Sequence, residues 1–250
     1  MIVLDGASQP DPTERDGGWL ADTLGRAVRD NLAERTDSLA AILADSIDAV
    51  RQRYDLKPGS SPSTTVSIVR WDADSVDVLV LGDSPVVALT TDGNVHEVRD
   101  DRLRDAARHQ RERLRVATAE QHHELWRSLV AAERSRRNQP GGYWIAEADP
   151  TAAWNAYAYR WHRQELRAIL AVTDGVSAGI DRYGIPPDWP SAFSLALQHP
   201  QNLVDAVHEA EVRDRECRRW PRSKRHDDKA AAIIGFGCEE KGRRGDGGGV

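Results

Sequence analysis

The chain has 250 residues and a net charge of −6, with 40% hydrophobic and 30% charged residues. The length favours one large soluble domain, and the acidic balance argues against a dedicated nucleic-acid binder. The two cysteines, Cys217 and Cys238, follow no metal spacing and are too few for a disulfide framework, which also argues against a zinc site.

Neither a membrane span nor a signal peptide is visible in the sequence. No apolar run approaches the roughly 20 residues that cross a bilayer. Residues 1–5 lack the basic start and the long apolar centre of a signal peptide. We therefore expect a cytoplasmic protein without a membrane partner, whereas its oligomeric state cannot be read from the sequence.

The first hundred residues change from a helical to a strand pattern. A short strand at 1–5 and a polar loop precede two stretches of helical periodicity, near 19–32 and 37–54, with Asp37 or Ser38 as the second N-cap. The following residues alternate as strands do and are joined by short polar turns, which predicts an antiparallel meander. Its four strands are predicted at 64–71, 76–81, 85–90 and 95–98.

The second part of the chain is helical at first and then mixed. Residues 100–138 are highly charged and predict two helices, interrupted at 116–118, with three histidines on or near solvent-facing sides: His109, His122 and His123. Later elements are a strand at 168–172, helices at 189–198 and 201–213, and a strand at 230–236. The basic segment 213–225 is interpreted as a solvated helix end and loop, with a basic rim that attracts an anionic substrate as the alternative. We expect a domain at 1–238 and a flexible tail at 239–250.

Acidic residues recur where apolar strands end. Asp5 and Asp174 each follow a strand and precede a glycine, Asp83 lies in a Gly-Asp-Ser turn, and Asp227 precedes the last strand. If these strands are neighbours, the like charges need cations between them, and carboxylate oxygen suits Mg²⁺ or Mn²⁺. An Asp-Gly pair alone proves nothing, because Asp92-Gly93 has the spacing of an ordinary hairpin turn.

Five short motifs follow one another along the chain. They are Val3-Leu4-Asp5-Gly6, Pro62-Ser63-Thr64-Thr65, Leu81-Gly82-Asp83-Ser84, Val172-Thr173-Asp174-Gly175, and Asp227-Asp228-Lys229-Ala230 before Ile233-Ile234. In this order they resemble the motifs of the metal-dependent PP2C-type (PPM) protein phosphatases. Each motif is weak alone, but together they cover nearly the whole chain. The resemblance implies an α+β fold, a four-layer α-β-β-α sandwich of two packed antiparallel sheets flanked by helices.

The resemblance also implies a site and a reaction. Asp5, Asp174 and Asp227 match the family's metal-binding aspartates, the Gly6 carbonyl matches a further ligand, and Asp83 is a possible accessory ligand. Two Mn²⁺ or Mg²⁺ ions would share a water that attacks a phosphoserine or phosphothreonine, so no protein nucleophile is needed. The implied function is a bacterial serine/threonine phosphatase with a phosphoprotein substrate, and its substrate-binding residues remain unknown.

The sequence departs from the family pattern in ways that leave an alternative open. The family's opening segment, with a phosphate-binding arginine and an acidic pair, is expected upstream of Asp5, so the true start can lie before Met1. Ala7 stands where eukaryotic members have a histidine proposed as general acid, and Ala178 stands where the family has a third-metal aspartate. Asp181 lies three residues further on and is not assigned that role. The alternative is a catalytically weakened or inactive phosphatase-like regulatory or binding protein.

Overall fold

The computed structural model describes residues 1–9, 13–115, 117, 119–222 and 224–237. The predicted tail at 239–250 lies outside these residues, so the domain boundary stays a prediction. The described strands are β1 Ile2–Gly6, β2 Thr64–Trp71, β3 Ser75–Leu81, β4 Val86–Thr90, β5 Val95–Val98, β6 Tyr157–His162, β7 Leu166–Val172 and β8 Ala231–Gly235. The described helices are α1 Gly17–Glu34, α2 Leu39–Tyr54, α3 Arg102–Ala106, α4 Arg108–Arg115, α5 Ala119–Arg134, α6 Asp174–Ala178, α7 Trp189–Gln198 and α8 Pro200–Arg213.

The strands form two antiparallel sheets of four strands each. One sheet has the order β1-β2-β3-β6 and the other has the order β5-β4-β7-β8. In the second sheet, β7 and β8 pair with Val172 opposite Ala231, so the segments that follow β7 and precede β8 lie side by side.

Alternation along the strands builds three hydrophobic layers. On β3, Leu79 and Leu81 face α1 and α2, whereas Val78 and Val80 face the other sheet. In the second sheet, the residues of β7 alternate in the same way: one set packs between the two sheets, and the other set packs against α7 and α8. The strands β2, β3, β4 and β7 are therefore buried along most of both faces, and the order of layers is helix, sheet, sheet, helix. This confirms the predicted fold class.

Side-chain caps set the starts of the predicted helices. The Asp16 carboxylate accepts from the N–H of Trp19 at 2.8 Å and begins α1. Of the two predicted caps for α2, Ser38 is the one used, and its hydroxyl accepts from the N–H of Ala41 at 3.2 Å. Local hydrogen bonding by short polar side chains explains why both helix starts could be predicted within two or three residues.

Two sequence predictions were wrong in this part of the chain. The four strands at 64–98 do not form one meander, because β3 and β4 belong to different sheets. Gly82 has a φ of +87°, a left-handed conformation that redirects the chain between the sheets. The segment from 102 to 134 contains three helices rather than two, because Ala107 leaves the helical conformation with φ −130° and ψ 34°.

The helices in the described part of the chain were also compared with the dimensions of a bilayer. None of them is both long and apolar enough to cross a membrane.

Candidate metal centre

Asp5 lies at the end of β1, where the threonines of β2 fix its position. Its backbone N–H donates to the Thr65 hydroxyl at 3.1 Å, and its carbonyl accepts from the Thr64 hydroxyl at 2.9 Å. The Thr65 hydroxyl also lies 2.6 Å from that of Ser84. This buried network ties the end of β1 to the turn that carries Asp83.

Gly6 allows β1 to end directly against the start of α1. A β-carbon at Gly6 would lie 2.3 Å from the carbonyl carbon of Gly17, which no side chain tolerates. The predicted ligand position at Gly6 lies next to Asp5, and both residues line the same cavity.

Asp83 lies in the turn that carries the chain from one sheet to the other. The N–H of Gly82 donates to Asp100 at 3.2 Å, and the Ser67 hydroxyl donates to the carbonyl of Ser84. These contacts anchor both neighbours of Asp83, so its half-buried side chain has a fixed origin.

Asp174 begins the short helix α6, immediately after β7. The neighbouring Thr173 is hydrogen-bonded to Ala230, the residue before β8. The Thr173 N–H donates to the Ala230 carbonyl at 3.1 Å, and the Thr173 hydroxyl accepts from the Ala230 N–H at 3.0 Å. A β-carbon at Gly175 would lie 2.1 Å from the Asp228 carbonyl oxygen. The glycine after Asp174 is thus required by the close approach of the segment that carries Asp227.

Asp227 lies just before β8 and reaches the same place from the neighbouring strand. The ammonium group of Lys224 donates to its carboxylate at 2.7 Å, and the N–H of Asp228 donates to the same oxygen at 3.2 Å. The β7 and β8 pairing therefore brings Asp227 beside Asp174, as the sequence analysis required but could not establish.

Burial and the neighbouring acids raise the pKa values of three of the predicted aspartates, Asp5, Asp83 and Asp174. Burial comes first among the causes that raise the pKa of Asp5 to about 8, followed by the charge and hydrogen bond of Asp174 and then by the charges of Asp227 and Asp83. Burial and the charge of Asp174 raise the pKa of Asp83 to about 7, although Arg111 opposes them. Burial and then Asp227 also raise the pKa of Asp174.

The composition of this centre fits a hard divalent cation. Its side-chain donors are carboxylate oxygens from four different strand ends, which are the ligands that Mg²⁺ and Mn²⁺ prefer. The raised pKa values of Asp5 and Asp174 result from burial and then from neighbouring acids that repel them, and a cation would remove that cost. The residues present therefore fit the predicted metal.

A cavity of about 750 Å³ opens on one side of the centre. It is lined by Asp5, Gly6, Lys224 and Asp228, together with His122, His123 and Trp126 of α5. Ala7 also lines this cavity, at the position where the resemblance places a histidine in eukaryotic members. The volume is in the range of ligand pockets, and the lining combines a cationic group, imidazoles and an indole.

A second cavity of about 240 Å³ adjoins the centre through Asp83 and Asp174. Ala178 and Asp181 contribute to its lining, but Asp181 is engaged in an ion pair with Arg99. Asp181 therefore has a cationic partner of its own in this cavity.

The sequence analysis missed several features of this region. His123 is exposed and His122 is half-buried, in line with the prediction of solvent-facing sides, but the sequence did not indicate that both line the larger cavity. The segment 213–225 was interpreted as solvated, yet Arg222 is buried on Asp214 and Lys224 contacts Asp227. The i, i+4 spacing of His122 and Trp126 could have indicated a shared helix face, but nothing local linked that face to Asp5.

Comparisons with known proteins identify the family of the chain. The family model described as Protein phosphatase 2C matches residues 1–211, so the match covers Asp5, Asp83 and Asp174 and stops before Asp227. A comparison with curated proteins gave no match.

Solved structures show the same fold at low sequence identity. A point mutant of a bacterial serine phosphatase matches with a TM-score of 0.55 and 9% identity, covering 94% of this chain and 83% of that chain. PppA from Pseudomonas aeruginosa, described as a key regulatory component of T6SS, matches with a TM-score of 0.51 and 14% identity, covering 94% of this chain and 85% of that chain. The serine/threonine phosphatase Stp1 from Staphylococcus aureus matches with a TM-score of 0.51 and 8% identity, covering 94% of this chain and 82% of that chain. With the family match over most of its length, the chain belongs to the protein phosphatase 2C family.

Proposed function

We propose that the chain is a metal-dependent phosphate-ester hydrolase acting on phosphoserine or phosphothreonine in proteins. The observation that supports this most is the convergence of Asp5, Asp83, Asp174 and Asp227 beside a cavity, with three raised pKa values. A fold without a ligand for these groups has no physical reason to keep them together.

We assign a role to each residue of the centre from its position. Asp5, Asp174, Asp227 and the Gly6 carbonyl would hold two Mn²⁺ or Mg²⁺ ions, with Asp83 as an accessory ligand. When bound, such ions supply a water of lowered pKa and neutralise charge on the phosphoryl oxygens.

Lys224 is our candidate for the group that orients the phosphoryl oxygens. Its ammonium group is paired with Asp227 and lines the larger cavity, so a substrate anion that enters this cavity meets a positive charge at the edge of the centre. His122 and His123 lie on the same cavity and would contact the peptide around the phosphorylated residue.

A second candidate function follows from the same ion pair. Because Lys224 already neutralises part of the charge on Asp227, the fold can keep this acid without a metal. That supports the alternative of a phosphatase-like protein that binds phosphoproteins without turning them over.

Hydrolysis assays on the full chain separate the two candidates. The substrates are p-nitrophenyl phosphate and a phosphothreonine peptide, each with Mn²⁺, with Mg²⁺ and with EDTA. The proposed enzyme hydrolyses both with metal and neither with chelator. Calorimetric Mn²⁺ binding without turnover would instead support the binding protein, and the absence of both would overturn the metal centre.

A further inference from the structure

A second group of potential metal ligands lies on and beside α8. His208 and Glu211 are three residues apart on this helix and therefore share a face, and His226 approaches them from the segment before β8. One donor atom from each of the three side chains lies within 4.8 Å of the other two. None of the three belongs to the carboxylate centre, the group formed by Asp5, Asp83, Asp174 and Asp227.

Glu211 gives this cluster a fixed carboxylate. Its side chain is 1% exposed, which is unusual for a glutamate on a surface helix. The Tyr183 hydroxyl donates to one carboxylate oxygen at 3.3 Å, and the Lys229 ammonium donates to the other at 2.7 Å. The carboxylate thus stays in place, and Oε2, the oxygen that accepts from Lys229, also faces His226.

The two histidines complete the cluster from the solvent side. Both are exposed, and their ring centroids are 4.9 Å apart with the planes inclined at 37°. The Nδ1 atom of His226 lies 3.1 Å from Glu211 Oε2. Two imidazoles and one carboxylate, with room for water on the exposed side, are a donor set typical of Zn²⁺ and related transition metals.

Charge compensation separates this cluster from the carboxylate centre. Lys229 already neutralises Glu211, so a hard cation that depends on carboxylate charge gains little there. The imidazole nitrogens instead supply affinity for borderline cations such as Zn²⁺. The cluster and the carboxylate centre should therefore select different metals.

The distances allow this coordination after small side-chain rotations. Tetrahedral Zn²⁺ with bonds of about 2.1 Å places its ligand atoms about 3.4 Å apart. The widest separation in the cluster, at most 4.8 Å, must then shorten by about 1.4 Å. The exposed imidazoles of His208 and His226 can make this movement without disturbing the core.

We propose that His208, Glu211 and His226 form a binding site for Zn²⁺ or a closely related transition-metal cation. Because His226 immediately precedes Asp227, a cation held there fixes the segment that carries Asp227 against α8. The proposal is independent of whether the carboxylate centre catalyses hydrolysis.

Calorimetric titration with Zn²⁺ tests the site on the full chain. Asp174→Asn serves as the parent, with Mg²⁺ in excess, so that binding to the carboxylate centre is suppressed. We expect one Zn²⁺ per chain, and an affinity at least about tenfold weaker when His208→Ala is added. His208 is exposed, so its removal should leave the fold intact, whereas Glu211→Gln would strand Lys229 and is a poorer test.

Two matched variants exclude other Zn²⁺ ligands. His96→Ala removes an exposed histidine from β5, and Cys217→Ser removes a free thiol, and neither should change the affinity. Equal Zn²⁺ affinity in the parent and in His208→Ala, or loss of binding in Cys217→Ser instead, would overturn the site.

Hydrogen exchange measures the second part of the proposal. Zn²⁺ should slow exchange in the segment around His226 in the parent and not in His208→Ala. Zn²⁺ binding at the histidines with unchanged exchange around His226 would show that the site does not hold the segment that carries Asp227.

Discussion

The acids of the carboxylate centre and the single acid Asp214, in the loop after α8, are two acidic groups with opposite surroundings. In the carboxylate centre, acids face acids, and burial together with neighbouring charges raises the pKa of Asp5 to about 8. In the loop after α8, burial by itself raises the pKa of Asp214. The hydrogen bonds from the backbone N–H groups of Arg219 and Trp220 and from Arg222 outweigh it and lower that pKa to about 2.

The contacts of Asp214 show what full compensation requires. Three consecutive backbone N–H groups, from Arg218 to Trp220, donate to it at 2.9 to 3.1 Å, and the Arg222 guanidinium donates at 2.7 Å. In the carboxylate centre, Asp227 accepts from Lys224 and from the N–H of Asp228, and the Arg111 charge acts on Asp83. Burial and the neighbouring acids nevertheless raise the pKa values of Asp5, Asp83 and Asp174. An acid whose charge is satisfied by the protein has a structural role, whereas acids left facing each other indicate a ligand.

The largest effect that separates the two groups is expected from Asp174→Asn. The change removes a metal ligand, so metal-dependent hydrolysis should fall by at least about 100-fold. It also removes one of the repelling charges, so the melting temperature in EDTA should rise. Steady-state kinetics on p-nitrophenyl phosphate with Mn²⁺, and thermal unfolding with chelator, measure the two effects.

The control for Asp174→Asn is the exposed acid Asp22, which forms a surface ion pair with Arg26. Asp22→Asn should change neither hydrolysis nor stability by a measurable amount. Retention of full activity by Asp174→Asn would contradict the assignment of Asp174 as a ligand.

Asp214→Asn should have the opposite effect on stability. It leaves Arg222 buried without its partner and weakens three hydrogen bonds, so the free energy of unfolding should fall by about 3 kcal/mol. For a chain of this size the melting temperature should then fall by about 6–12 °C. Urea unfolding checks the first value and calorimetry the second. An unchanged midpoint would mean that the loop contributes little to the stability of the fold.

The difference between the two groups also marks the limit of what the sequence could reveal. Asp5 and Asp174 were predicted as strand-end acids because apolar alternation and an Asp-Gly turn are local signals. Their convergence was not predictable from local signals, because it depends on the pairing of β7 with β8 and of β1 with β2. The family resemblance supplied that information indirectly.

Long-range contacts explain the features that the sequence analysis missed. The segment around Arg222 was interpreted as solvated because its composition is basic, yet its partner is the loop-forming Asp214. The His208 and Glu211 spacing is visible on α8, but the approach of His226 depends on the path of the chain toward β8. The turn at Gly82 crosses between sheets because of its backbone conformation, which an alternating pattern does not report.

The pH dependence of the metal-free protein sharpens the comparison. Asp5 and Asp83 have folded-state pKa values of about 8 and about 7, above their unfolded values, so the folded state binds more protons. Their contribution to stability is present below about pH 4 and is lost as the pH rises toward 8. Since a cation must displace these protons, Mn²⁺ affinity should rise over the same range.

Thermal unfolding in EDTA and Mn²⁺ calorimetry between pH 5.5 and 8 measure both trends. The cost of Asp214→Asn is the internal control, since a carboxylate with a pKa of about 2 stays ionised throughout this window. A Mn²⁺ affinity that is flat with pH would contradict the protonated state of the carboxylate centre.

The smallest effect is expected at Lys224, whose ammonium group donates to the Asp227 carboxylate at 2.7 Å. Lys224→Gln should raise the KM for a phosphothreonine peptide about two- to fivefold, since the side chain is half exposed and its charge is partly screened. The same change should strengthen Mn²⁺ binding, because Asp227 no longer has a competing partner. Arg225→Gln, an exposed neighbour, should do neither. A higher KM together with tighter Mn²⁺ binding would place Lys224 between substrate and metal ligand, whereas weaker Mn²⁺ binding would mean that Lys224 positions Asp227.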